Sequence, residues 1–159
     1  MLDTKARSKY TKTIKKERSL AKRKPVKMTC PYCGRPMQLR RGDAVYRDNN
    51  KKRKVYVCTG YPECDTYVRT EKGTLKPIGT PANSDLRRLR YETHQQFDRL
   101  WQEGLMSRHE AYLWLSTLTG LPEELAHIGE FREGMCCKVI EESKKLLEAQ
   151  GKQKRQKSS

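Results

Sequence analysis

The stretch Cys30-Pro31-Tyr32-Cys33-Gly34, answered after 24 intervening residues by Cys58-Thr59-Gly60-Tyr61-Pro62-Glu63-Cys64, decides the fold of the first half of this chain. Zinc in a structural site takes four ligands at tetrahedral corners, and thiolates are among its preferred donors. A C-x2-C turn sets two sulfurs on one side of an ion. A second short cysteine loop, brought back by a β-hairpin, sets the other two. Gly34 follows the first pair and lets the backbone turn so that its N–H groups face sulfur. The rival reading, two disulfides, requires an oxidising compartment. Nothing in the first thirty residues reads as a secretory leader, so the expectation is one structural Zn²⁺ held by Cys30, Cys33, Cys58 and Cys64. Four thiolates leave no open position for a reacting water, so the metal is expected to be structural rather than catalytic.

Working outward, Met37-Gln38-Leu39-Arg40 alternates apolar and polar, as a strand does, and Ala44 to Arg47 is expected to be extended. Val55-Tyr56-Val57-Cys58 is strongly β-prone, and Asp65 to Thr70 reads as a third short strand. Residues 28–70 thus form a three-stranded antiparallel zinc ribbon, too small to fold without its metal. A linker with Gly73, Pro77, Gly79 and Pro81 covers 71–83. Three helices are expected over 84–150. The first runs from Ser84 to Glu103 with Leu86, Leu89, Thr93, Phe97, Leu100 and Trp101 on one face. The second opens at Ser107 with Glu110 three residues later, a capping box, and ends at Gly120. The third spans Glu130 to Gln150 and stops at Gly151. Phe97, Trp101, Trp114 and Phe131 are expected to form the helical core. The fold class is therefore α+β: a ribbon, then a three-helix domain.

The 159 residues carry a net charge of +16, with 35% hydrophobic and 34% charged residues. The charge is uneven. Residues 1–27 hold eleven Lys/Arg against two acids, residues 28–69 nine against four, and the tail 151–159 is basic, whereas residues 81–149 hold nine against twelve. A basic arm, a basic ribbon and a basic tail around a mildly acidic helical part suit a polyanionic partner. The arm is expected to be disordered when free. The longest apolar run, Ala111 to Leu115, is far too short to cross a membrane, and a cytoplasmic, nucleoprotein-associated protein is expected.

The ribbon resembles the C-terminal zinc ribbons of bacterial type I topoisomerases in Cys30-Pro31-x-Cys33-Gly34 and Cys58-x-x-Tyr61-Pro62-x-Cys64. The resemblance covers about forty residues. It implies single-stranded DNA binding and, because the catalytic part of those enzymes has no counterpart here, no strand passage. The longer stretch from Cys30 to Leu147 is similar to a family of small phage and bacterial zinc-finger proteins of unknown function. Its residues are Gly79-Thr80-Pro81-Ala82, Arg87, Arg90, His94, Phe97-Asp98-x-x-Trp101, Ser107-Arg108-x-Glu110-Ala111-Tyr112 and His127-Ile128-Gly129-x-Phe131. The doubled Cys136-Cys137 departs from that family's single cysteine.

Within the ribbon, tyrosines interleave with cations. Bases stack on aromatic rings while Lys and Arg follow phosphates, a combination suited to single-stranded DNA or RNA. The expected contacts are Arg40, Arg41, Arg47, Lys51, Lys52, Arg53, Lys54, Arg69, Tyr46 and Tyr56. The bland alternative is that several tyrosines are the ribbon's own core, and that Lys51 to Lys54 is a solvated hairpin tip. His127, Cys136 and Cys137 invite a second metal, but adjacent helical residues point about 100° apart and no fourth ligand stands out. No paired carboxylates or Ser/His/Asp set appear, so a non-enzymatic binding protein is expected. The alternatives are an adaptor docking a polymerase or ribosome surface through the helical domain and, with less support, a nuclease.

Overall fold

The computed structural model describes residues 24–47 and 53–157, and for Lys157 the backbone alone. Most of the basic arm, together with Lys51 and Lys52, lies outside the described residues. The chain divides into two compact units, 1–81 and 82–159.

The first unit is built on three strands, β1 (Met37–Arg41), β2 (Lys54–Cys58) and β3 (Tyr67–Arg69), in the order β1-β2-β3 and antiparallel throughout. The register pairs Leu39 with Tyr56 and Tyr56 with Val68, and pairs Arg40 with Val55 and Val55 with Arg69. Cross-strand partners share a face and neighbours along a strand do not. Met37, Leu39, Tyr56, Cys58 and Val68 therefore line the inner face, where they pack with Cys30, Met28 and Cys64. Gln38, Arg40, Val55, Val57, Tyr67 and Arg69 belong to the outer face. After β1 the chain makes a single 3₁₀ turn at Gly42–Ala44 in place of the extended segment expected from Ala44 to Arg47. Asp43 and Ala44 suit a tight turn, and the Gly42 carbonyl accepts from both Val45 and Tyr46.

The stretch expected to be a linker folds onto the ribbon over most of its length. Ile78 N–H donates to the Arg69 carbonyl, Glu71 N–H to the Lys76 carbonyl, and Thr70 bridges to Pro77. Leu75 is buried, and its carbonyl accepts a 2.8 Å hydrogen bond from the Tyr56 hydroxyl.

The second unit contains α1 (Ser84–Gln102), α2 (Arg108–Thr119) and α3 (Glu133–Lys157). The Asn83 side chain caps α1 by accepting from Leu86 N–H. At α2 the capping box closes as the sequence dictates: Ser107 Oγ accepts from Glu110 N–H, and the Glu110 carboxylate accepts from Ser107 N–H at 2.7 Å. Gly120 ends this helix in the left-handed region, φ 69°. Cys136, Val139, Ser143 and Leu147 form the buried stripe of α3, and Leu86, Thr93, Phe97 and Leu100 that of α1. Arg90 is buried with them and donates from Nε to the Phe131 carbonyl at 3.0 Å. Phe97 and Phe131 are core residues, but Trp101 and Trp114 are half-buried, flanking Phe97 at ring distances of 5.1 and 6.3 Å.

Two helix boundaries differ from expectation. Ile128–Glu130 is a 3₁₀ turn, so α3 starts at Glu133 and not at Glu130. It then runs through Gly151 to Lys157. A glycine costs a helix about 1 kcal/mol, and the surrounding Lys, Gln and Arg are good helix formers placed where the helix dipole favours cations. No described helix is long and apolar enough to cross a membrane.

Candidate metal centre

The four sulfurs of Cys30, Cys33, Cys58 and Cys64 lie within 4.8 Å of one another. Between the two knuckles, Cys30 Sγ to Cys64 Sγ is 3.5 Å and Cys33 Sγ to Cys58 Sγ is 3.3 Å. A tetrahedron with Zn–S bonds of about 2.3 Å has edges of about 3.8 Å, close to this spacing. A disulfide needs about 2.05 Å, and all six cysteines are free. All four sulfurs gathered in one cluster fit one shared ion.

The chain builds this cage from local hydrogen bonds. Gly34, at φ 72°, turns the first knuckle so that its N–H donates to the Cys30 carbonyl, while Cys30 N–H donates to the Arg35 carbonyl at 2.8 Å. In the second knuckle Tyr61 N–H reaches the Cys58 carbonyl and Cys64 N–H the Gly60 carbonyl. Gly60 N–H points at Cys58 Sγ at 3.4 Å, and the buried Thr66 hydroxyl lies 3.4 Å from Cys64 Sγ. These outer groups orient the sulfurs and stabilise charge on them.

The electrostatics call for a cation. Burial opposes ionisation of Cys30, but the backbone N–H groups of Cys33 and Tyr32 and the Thr66 hydroxyl outweigh it, and its pKa is lowered to about 6. Cys58 moves the other way. Burial is the largest effect, Gly60 N–H opposes it, and the neighbouring Cys33, Cys64 and Cys30 add to it, pushing the thiol up to about 12. Four thiolates cannot coexist here without a positive ion among them, and a divalent metal supplies that charge. The donor set, its spacing and its closed coordination fit one structural Zn²⁺.

The other expected contacts are scattered. Arg40 and Arg69 are exposed on the outer face, on either side of Val55. Arg41 is exposed and pairs with Asp43 at 3.0 Å. Arg47 and Lys54 are exposed, and Arg53 is half-buried with its carbonyl accepting from Gly42 N–H. Tyr46 is half-buried and meets the ring of Tyr67 edge-on at 5.6 Å, so the segment after β1 turns back over the outer face. Tyr56 is not a stacking residue. It is 0% exposed, and its hydroxyl donates to the Leu75 carbonyl and accepts from Val26 N–H at 3.0 Å. One sequence signal could have placed it: Tyr56 stands two residues before Cys58, a ligand that must face inward, so the two share a face. Tyr67, paired with Val57, is the outer-face aromatic that the candidate contacts omitted. Among the described residues no second metal-capable cluster forms: Cys136 is buried, Cys137 is exposed, and His127 is exposed.

Residues 26–146 match the family model of a zinc-finger-containing domain. Searches of curated proteins and of solved structures returned no match.

Proposed function

The chain belongs to that zinc-finger-containing family, and on this premise we propose that its ribbon is a non-enzymatic binding module for single-stranded nucleic acid. The observation that carries the reading is the outer face of the sheet. The register sets Arg40 and Arg69 about 10 Å apart across Val55, given a strand spacing of about 4.8 Å. One row along, about 7 Å away, stand Gln38 and Tyr67 on either side of Val57, with Tyr46 against Tyr67. Cations thus alternate with aromatic rings on one surface, while the opposite face is taken up by the metal and its core. Lys54 at the start of β2 and the exposed Arg47 beyond the 3₁₀ turn add positive charge, and the eleven cations of residues 1–27 add sequence-independent phosphate affinity. Val55 and Val57, between the two edges, are fully buried, so what this face offers a ligand is its edge cations and the half-buried Tyr67 ring. That suits splayed single strands better than a duplex groove, which is read by a helix or ribbon inserted between backbones.

The test uses the zinc-loaded full chain and fluorescence anisotropy with labelled single-stranded DNA, RNA and duplex across a salt series. Arg40→Ala with Arg69→Ala removes two phosphate contacts and should flatten the slope of log K against log[salt] by about 1.4. Tyr67→Leu should weaken single-strand binding about tenfold and duplex binding little. Absence of salt-dependent binding to all three would reject the proposal and favour an adaptor role. Under that role the exposed Tyr91, Leu113 and Leu125 of the helical unit become the surface of interest.

A further inference from the structure

Gly60 is buried in the second knuckle, and no positive φ requires a glycine there. What a side chain there would meet is the end of another, exposed residue. A Cβ built on Gly60 would lie 2.3 Å from Arg35 Nη1, 3.3 Å from its Cδ and 3.4 Å from its Cζ. The space that a side chain would fill is occupied by the Arg35 guanidinium. Arg35 belongs to the other knuckle, where its carbonyl is held by Cys30 N–H at 2.8 Å. Its side chain therefore spans from the loop carrying Cys30 and Cys33 to the loop carrying Cys58 and Cys64. It comes to rest on the residue whose N–H donates to Cys58 Sγ.

A zinc ion with four thiolates carries a net charge of two minus, and Cys33, one of its ligands, is exposed. A cation seated on the knuckle backbone stabilises that dianion, and a side chain crossing between the knuckles resists their separation. We propose that Arg35 is the outer-shell latch of the zinc centre: its guanidinium, lodged on Gly60, sets how tightly the site retains its metal without being a ligand.

The test is the rate at which the full, zinc-loaded chain yields its metal to an excess of a chromogenic chelator. Circular dichroism is followed in parallel. Outer-shell substitutions typically weaken metal sites by about 10–100-fold. Arg35→Gln keeps most of the stem and removes the charge, so it should release zinc about tenfold faster or more, with the helical signal unchanged. Arg35→Lys should fall between the two. Gly60→Ala leaves the arginine in the sequence but evicts it from its seat, and should accelerate release in the same way. Added salt should speed release from the wild type more than from Arg35→Gln. Wild-type release rates in both Arg35→Gln and Gly60→Ala would overturn the proposal. So would acceleration in Gly60→Ala with none in Arg35→Gln, because the glycine would then matter for a reason unconnected with the guanidinium.

Discussion

Replacing Tyr56 by Phe separates a core tyrosine from a base-stacking one. The ring, wholly buried on the inner face, stays where it is, and only the hydroxyl is lost. Two backbone groups depend on that oxygen: the Leu75 carbonyl at 2.8 Å and Val26 N–H at 3.0 Å. Leu75 is only 6% exposed, so its carbonyl is poorly placed to recruit water, whereas Val26 is 45% exposed and its N–H can be rehydrated. The cost is therefore that of about one unsatisfied buried acceptor, about 1–3 kcal/mol. Because the ribbon's folding is coupled to its metal, the loss should appear as about a 5- to 150-fold weaker apparent zinc affinity in a competition titration. It should also appear as faster hydrogen exchange at β2 and in residues 70–78. Affinity for single-stranded nucleic acid, measured with zinc saturating, should not change, since the ring faces away from Arg40 and Arg69. A Tyr56→Phe chain with wild-type zinc affinity would refute the assignment of the hydroxyl to the ribbon's core. The same holds for Tyr56→Leu if it lost single-strand binding with metal affinity intact.

Cys58→Ala, or removal of zinc by a chelator, should abolish the one-per-chain zinc stoichiometry and unfold the ribbon. The helical unit should keep its far-ultraviolet signal and its thermal transition, because its core contains none of the four ligand cysteines. Ser107→Ala should lower the melting free energy of the helical unit by about 1 kcal/mol. The Ser107 backbone N–H and hydroxyl hold the Glu110 carboxyl below its ordinary value of 4.5. The contribution of that carboxylate is thus complete above about pH 4.5 and is lost as pH falls through the lower, folded-state value. Glu110→Gln should flatten this part of the stability profile, as read by thermal melts from pH 3 to 6.

The metal cage and the helix boundaries fixed by short-range chemistry were legible without coordinates. Cysteine spacing specifies a ligand set because few other uses of two close pairs are physically sensible. The cap at Ser107 and the stop at Gly120 are readable because each is set by residues within a turn of one another, whereas the Asn83 cap of α1 falls in what reads as linker. Where an outcome hung on competition between weak local preferences, reading along the chain did less well. Gly151 is a poor helix residue, yet its neighbours and the helix dipole carry α3 past it.

The sequence alone determined a four-cysteine zinc module followed by three helices, with positive charge concentrated on the former. The tertiary structure decided which side chains of the module face the metal and which face outward. Val55-Tyr56-Val57 has no polar alternation to mark its faces, so only pairing with both neighbouring strands shows Tyr56 joined to the core and Tyr67 turned to the outer surface. The stretch from Glu71 to Ile78 has the composition of a linker, and its closure onto the ribbon depends on a hydrogen bond from a residue 19 positions earlier, Tyr56 to Leu75. Arg35 on Gly60 is of the same kind. Neither residue announces the other, because their meeting is produced by two knuckles closing on one ion, a long-range event that local sequence does not encode.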